Sequence, residues 1–168
     1  MTRIGLLSDT HGYLPPQVFE HFKEVDEIWH AGDIGTVEVS DALEKFKPLR
    51  AVWGNIDGAD LRVRYPEHLH FVIEQVPIFI THIGGYPPNY NAVSKPLIIQ
   101  YQPHLFISGH SHILKVMPDA KLNLLHINPG ACGKHGWHKI STLVRFAIHE
   151  NRVLNLEVIE LGKRGGLV

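Results

Sequence analysis

The segment Ile4-Gly5-Leu6-Leu7-Ser8-Asp9-Thr10-His11-Gly12 sets the reading of the chain: a four-residue apolar run stops at a carboxylate and an imidazole one residue apart, then a glycine. A short apolar run without polar alternation is the signature of a strand buried on both faces. The pattern recurs. Residues 28–31 lead into Gly32-Asp33, 51–53 into Gly54-Asn55-Ile56-Asp57, 78–81 into His82-Ile83-Gly84-Gly85, and 105–108 into Gly109-His110-Ser111-His112. In open α/β sheets the carboxyl ends of parallel strands line one crevice, so polar residues distant in sequence converge there.

Helix-period stretches separate the first three runs. One begins near Pro15 and Pro16, residues suited to a first turn, and aligns Val18, Phe19, Phe22 and Val25. The next spans 37–46, aligns Val39, Leu43 and Phe46, and stops before Pro48. Together they predict βαβαβ. Farther on, strands at 71–74, 78–81 and 105–108 come in closer succession, with one helix at 91–102 whose Pro96 must lie in its first turn or kink it. Runs at 142–149 and 153–160, separated by Glu150-Asn151-Arg152, predict a hairpin, and 162–168 a frayed tail. The expected architecture is two packed sheets, the first largely parallel and the last strands antiparallel, with helices outside. No repeat, low-complexity tract or linker divides the chain, so residues 1–168 read as a single domain.

Composition narrows the function. Hydrophobic residues at 44% and charged residues at 20% fit a folded core rather than disorder. Sixteen Lys and Arg against seventeen Asp and Glu leave no basic surplus for extended nucleic-acid binding. A single cysteine, Cys132, excludes a disulfide framework and thiolate-rich zinc sites and fits a reducing compartment. The first apolar run is broken by Asp9, and no run reaches the ~18 residues of a membrane span, so a cytoplasmic protein with no membrane role is expected.

Thirteen histidines are far above ordinary usage, and histidine is the commonest metal ligand. Alone, Asp-x-His reads more readily as a capped turn, and His-x-His as two residues on one strand face, than either does as a metal site. Five strand-end signals together give seven candidate donors: Asp9, His11, Asp33, Asn55, His82, His110 and His112. Seven exceed what one tetrahedral centre uses, whereas two divalent ions ~3.5–4 Å apart share a carboxylate and clamp a phosphate. Asp33 is the choice for that shared carboxylate. Oxygen and imidazole donors without thiolate suit Mn, Fe or Zn and leave the metal open.

Asp9-x-His11, Gly32-Asp33, Gly54-Asn55-x-Asp57, Thr81-His82 and Gly109-His110-Ser111-His112 together resemble the motif series of calcineurin-like metallophosphoesterases. The Asp9-Thr10-His11-Gly12 opening and the Ile127-Asn128-Pro129-Gly130 segment are similar to the small YfcE-like bacterial and archaeal phosphodiesterase branch. The resemblance runs from Ile4 to about Leu161. It implies a four-layer αββα sandwich, two stacked mixed β-sheets flanked by helices. It also implies a first ion on Asp9, His11, Asp33 and His112, and a second on Asp33, Asn55, His82 and His110. The implied cofactors are two divalent metal ions, manganese first, with nickel, iron, zinc and magnesium as alternatives. The implied reaction is attack of a metal-bridging hydroxide on a small phosphate ester, preferentially a diester.

Asn55, Asp57 and His82 are the implied catalytic group. Asn55 orients phosphoryl oxygens, and Asp57 orients a ligand or the Asn55 loop, or caps a turn. One departure matters: many members carry a histidine where Ile56 stands, and an aliphatic side chain transfers no proton. Better turnover of esters with good leaving groups is therefore expected. His30 is expected to be a satisfied strand-end residue. His21, His68, His70, His104, His126 and His149 are expected at the surface or hydrogen-bonded in the core, and Cys132 buried. The 133–139 loop, with His135 and His138, and the 86–90 segment are candidate rims. The alternatives are a non-catalytic scaffold of the kind this fold provides in the retromer complex, a phosphomonoesterase, or a nuclease. The scaffold relatives lose ligand positions, whereas all seven stand here. Homo-oligomerisation stays open.

Overall fold

The computed structural model describes residues 1–164. Its elements run β1 (Thr2–Leu7), α1 (Gln17–His21), β2 (Glu27–His30), α2 (Val37–Phe46), β3 (Leu49–Ala51), α3 (Ala59–Arg64), β4 (His68–Ile73) and β5 (Val76–Thr81). Then follow β6 (Gly85–Tyr86), β7 (Asn89–Tyr90), α4 (Ser94–Tyr101), β8 (Leu105–Ile107), β9 (Lys115–Asp119), β10 (Leu124–Asn128), β11 (Ile140–His149) and β12 (Arg152–Lys163).

Two five-stranded mixed sheets result, in the orders β12-β11-β1-β2-β3 and β4-β5-β8-β10-β9. In the first, β1, β2 and β3 are parallel while β11 and β12 are antiparallel. In the second, β5, β8 and β10 are parallel, flanked by antiparallel β4 and β9. The inner faces meet through Ile4, Leu6, Trp29, Ile78, Ile80 and Ile107. Trp29 stands edge-on to Phe71 and Phe146, ring centroids 5.2 and 5.6 Å away. Outside the first sheet, Val18, Phe22, Leu43 and Leu61 seat α1, α2 and α3. Outside the second, Phe79 and Phe106 receive Ile98 of α4. This is the four-layer αββα arrangement expected above. Aliphatic strands buried on both faces explain it, because each sheet must cover one face with the other sheet and one with helices.

Several elements differ from expectation. The third strand lies two residues earlier, at Leu49–Ala51, because the chain turns away at Val52 to bring Gly54 and Asn55 to the crevice. The first helix is only five residues long, and Phe19 is half-buried against Phe46. β4 starts at His68 and ends at Ile73; Glu74 and Gln75 form the turn to β5, both with positive φ, a geometry the hairpin twist favours. The helix α3 and strands β9 and β10 were not expected. Pro118 is tolerated because β9 is an edge strand. Pro96 does lie in the first turn of α4. The expected frayed tail is corrected in part: Gly162 and Lys163 pair with β11, and Arg164 is held by carbonyls of the 133–140 loop. Residues 165–168 of that expectation lie outside the described residues.

Candidate metal centre

The turns after β1, β2, β3, β5 and β8 carry the donor residues. Asp9, His11, Asp33, His110 and His112 all have left-handed backbone, with φ between 47° and 69°. Asp and His tolerate this region better than most residues, at a cost of order 1 kcal/mol each, and such corners cluster at functional sites. Glycines permit the close approach. A Cβ at Gly54 would collide with Asp33, and one at Gly109 with Ser8 and Asp9.

Two groups of donor atoms form, each within 4.8 Å of one another: Asp9, His11, Asp33 and His112, and Asp33, His82 and His110. Asp33 belongs to both. Its Oδ1 accepts the Ile56 N–H at 3.0 Å, leaving Oδ2 3.4 Å from His11 Nε2 and 3.1 Å from His82 Nε2. Asp9 is divided the same way. Oδ2 accepts the Ser8 hydroxyl at 2.6 Å and the His110 N–H at 3.2 Å, while Oδ1 lies 3.0 Å from His112 Nε2. His82 donates from Nδ1 to the Ala31 carbonyl at 2.8 Å, which turns Nε2 to the centre. Asn55 Oδ1 and His110 Nδ1 are 2.9 Å apart, which places Asn55 at the second group.

The donor chemistry fits a pair of cations. Asp9 Oδ1, His11 Nε2 and His82 Nε2 are buried and lack a hydrogen-bond partner, a costly arrangement that cations would satisfy. The charges point the same way. Burial would raise both carboxyls, yet His11 with His112 at Asp9, and His11 with His82 at Asp33, hold them well below the usual range. The Asp33 and Asp9 carboxylates beside it, 3.4 and 3.8 Å from Nε2, push His11 up to about 9. Burial pulls His82 down, but Asp33 and Asp9 outweigh it and raise the group; His110, under burial and beside His82, is lowered. Without cations His11 and His82 therefore serve as counter-ions to the carboxylates.

The remaining candidates lie around this cluster. Asp57 is buried but does not join it. Its oxygens accept the N–H groups of Ile34 (3.1 Å), Gly35 (2.8 Å) and Gly54 (2.8 Å), tying the Asp33 turn to the Asn55 turn. These bonds turn both Asp57 oxygens to backbone N–H groups of the two turns. His30 accepts Gly32 N–H on Nδ1 and meets Thr10 Oγ1 through Nε2, a satisfied core residue that burial pushes down to about 4. Cys132 is buried and pushed up to about 12. In the 133–139 loop, the His135 ring lies 5.3 Å from His11, whereas His138 offers its carbonyl to Arg164. Sequence reasoning missed Ser8, which fixes Asp9, and the Ile56 N–H, which fixes Asp33. Asn128, in the 127–130 segment, donates its amide to Gly109 O and Ser111 Oγ and so braces the His110 turn.

Comparison with known proteins agrees with this geometry. Residues 2–151 match the calcineurin-like phosphoesterase superfamily domain, and the chain belongs to that superfamily. A probable metallophosphoesterase of Methanothermobacter thermautotrophicus is 30% identical over 135 residues, 76% of each chain. A phosphodiesterase of Methanocaldococcus jannaschii is 26% identical over 148 residues, 77% of this chain and 84% of that protein. In fold, an archaeal phosphodiesterase superposes with a TM-score of 0.77 at 24% identity, covering 95% of this chain and 99% of that one. Vps29 of Chaetomium thermophilum superposes equally well, 0.77 at 12% identity over 98% and 100%. Among the described residues no helix is long and apolar enough to cross a membrane.

Proposed function

We propose that this protein hydrolyses phosphodiesters with two divalent cations, manganese first, held by Asp9, His11, Asp33 and His112 and by Asp33, Asn55, His82 and His110. The observation that carries the reading is the convergence of these donors, three of whose ligand atoms are buried without a hydrogen-bond partner. When bound, such a pair supplies an activated water at neutral pH and a clamp on the phosphoryl oxygens.

The chain's residues do the positioning. Asp33 offers one oxygen to both halves because Ile56 N–H occupies the other. Ala31 fixes the His82 tautomer, and Asp57 fixes the separation of the Asp33 and Asn55 turns. Asn55, exposed at the rim, orients a phosphoryl oxygen. Ile56 is 46% exposed beside it and offers no proton, so the leaving oxygen departs without help from that position, which favours activated esters. A protein-binding scaffold needs no convergent donors at the strand ends; all seven being in place favours hydrolysis.

Metal-stripped protein supplied separately with Mn, Ni, Zn and Mg tests this on bis-p-nitrophenyl phosphate and p-nitrophenyl phosphate. Activity should return with metal, foremost Mn, and favour the diester. Asp33→Ala should lose more than about a hundredfold in rate, beyond the 10–100-fold typical of groups that merely support a ligand, and at least one metal equivalent. Full activity in Asp33→Ala would overturn the assignment.

A further inference from the structure

Two cavities flank the donor cluster, and they are chemically unlike. The smaller, about 160 Å³, opens beside Asn55 and His82, with Trp53, Ile83 and Val93 as apolar lining and Glu67 as its acidic member. Its Trp53 wall is braced by Arg62, whose guanidinium sits 4.1 Å over the ring and donates to the Asp57 and Asn55 carbonyls. The larger, about 370 Å³, opens beside His110 and is lined by Tyr86, Asn89, Ser111, Lys115 and His126. Its hairpin, β6–β7, is tied to β9 by Tyr90, which donates to Asp119 at 2.6 Å. Ile83 and Asn91 line both cavities, so the two share a wall next to the same donors.

The larger cavity has a built polar floor. His126 is fully buried, and its Nδ1 lies 3.2 Å from the Phe106 carbonyl, so Nδ1 carries the proton and Nε2 keeps a lone pair with no partner. Burial pushes the group down to about 4, which keeps the ring neutral and makes Nε2 an acceptor. Lys115 holds its ammonium 3.5 Å from the Tyr86 ring centroid. The larger cavity thus offers a cation and a buried acceptor, whereas the smaller offers aromatic and aliphatic surface and an acid.

We propose that these cavities seat the two ester arms of an asymmetric phosphodiester: a compact, neutral, apolar or aromatic arm against Trp53 and Val93, and a larger arm bearing a negative charge and an O–H or N–H donor against Lys115 and His126. The proposal rests on the phosphodiesterase reading and names its substrate class. A monoester has one arm and would leave one cavity unused. Glu67 repels an anion from the smaller cavity and Lys115 attracts one to the larger, so charge sets the orientation.

The test uses manganese-loaded protein and two p-nitrophenyl diesters of similar size, one with an anionic carboxyethyl arm and one with a cationic choline arm. Wild type should favour the carboxyethyl ester in kcat/KM by at least about tenfold, a modest discrimination for opposite charges at one lysine. Lys115→Met should collapse that preference, and Lys115→Arg should keep it. Binding of carboxyethyl phosphate, followed by calorimetry, should weaken in Lys115→Met in step with the lost preference. Val93→Trp, at an exposed position, should raise KM for bis-p-nitrophenyl phosphate without changing metal content. A protein that hydrolyses neither diester defeats the phosphodiesterase reading and this assignment with it. Hydrolysis of both with equal efficiency, or a preference that survives Lys115→Met, defeats the anionic-arm assignment alone. An unchanged KM in Val93→Trp defeats the apolar-arm assignment.

Discussion

The two halves of the donor cluster differ in charge and in exposure. The first draws on two carboxylates, Asp9 and Asp33, with Asp9 completely buried and His11 and His112 partly covered. The second shares Asp33 and adds no further carboxylate, only His82, His110 and Asn55, of which Asn55 and His110 are exposed. Greater negative charge in a drier setting holds a divalent cation more firmly. On the proposed reading, the inner half would retain its cation more firmly, while the outer half faces the two cavities.

The sharpest way to break that contrast is to remove one donor from each half. Asp9→Ala should lose more than about a hundredfold in activity together with the tightly held metal equivalent, whereas Asn55→Ala should lose only the weaker one. Metal titration followed by native mass spectrometry reads both. Loss of the same equivalent from the two variants would abolish the distinction. A smaller effect is expected at Asp57, which joins the halves without touching either. Asp57→Ala leaves three N–H groups without their acceptor. It should cost roughly 1–3 kcal/mol of stability and about 10–100-fold in activity, with both equivalents retained at saturating metal. Denaturant midpoints beside metal content check this.

The smallest effect concerns the neutral histidines next to each half, His30 near Asp9 and His126 in the outer cavity. Both sit at about 4 when folded, below the ~6.5 of an unfolded chain. Their contribution is therefore complete above the unfolded value and is lost as pH falls through 6.5 toward 4. Between pH 7 and 5.5 that amounts to about 1 kcal/mol for each. His126→Phe should flatten its share of the slope in unfolding free energy against pH. His11 in the metal-free protein has the opposite sign: raised to about 9, it stabilises below the unfolded value and loses that contribution as pH climbs through 9.

Much of this was legible in the residues themselves. The runs around Leu6 and Trp29 are largely apolar, His30 apart, because both their faces are covered, and α2 shows its period over ten residues, so its bounds match the sequence pattern. The donor residues announced themselves by recurring at strand ends. Other features left no such mark. The six-residue α3 buries only Leu61, too little to display a period. β10 hides its buried outer face behind a polar residue, His126, and β9 carries a proline that would count against any interior strand. The Glu74-Gln75 turn lacks the glycine or asparagine that usually signals its backbone. The division of Asp9 and Asp33 into one tethered and one free oxygen depends on the Ser8 hydroxyl and on the backbone N–H groups of His110 and Ile56, contacts that no motif reveals.

The left-handed corners at Asp9, His11, Asp33, His110 and His112 have a practical consequence for engineering. Glycine relieves such corners at the less buried His11, His110 and His112, so a library screened for heat tolerance with no activity assay would enrich glycine there, whereas at Asp9 and Asp33 it would strip the acceptor from Ser8, His110 and Ile56. The hardiest clones would be the ones that had discarded their cation donors. Thermostabilisation of this scaffold should therefore leave these five codons untouched and draw its gains from the helices and the far ends of the sheets.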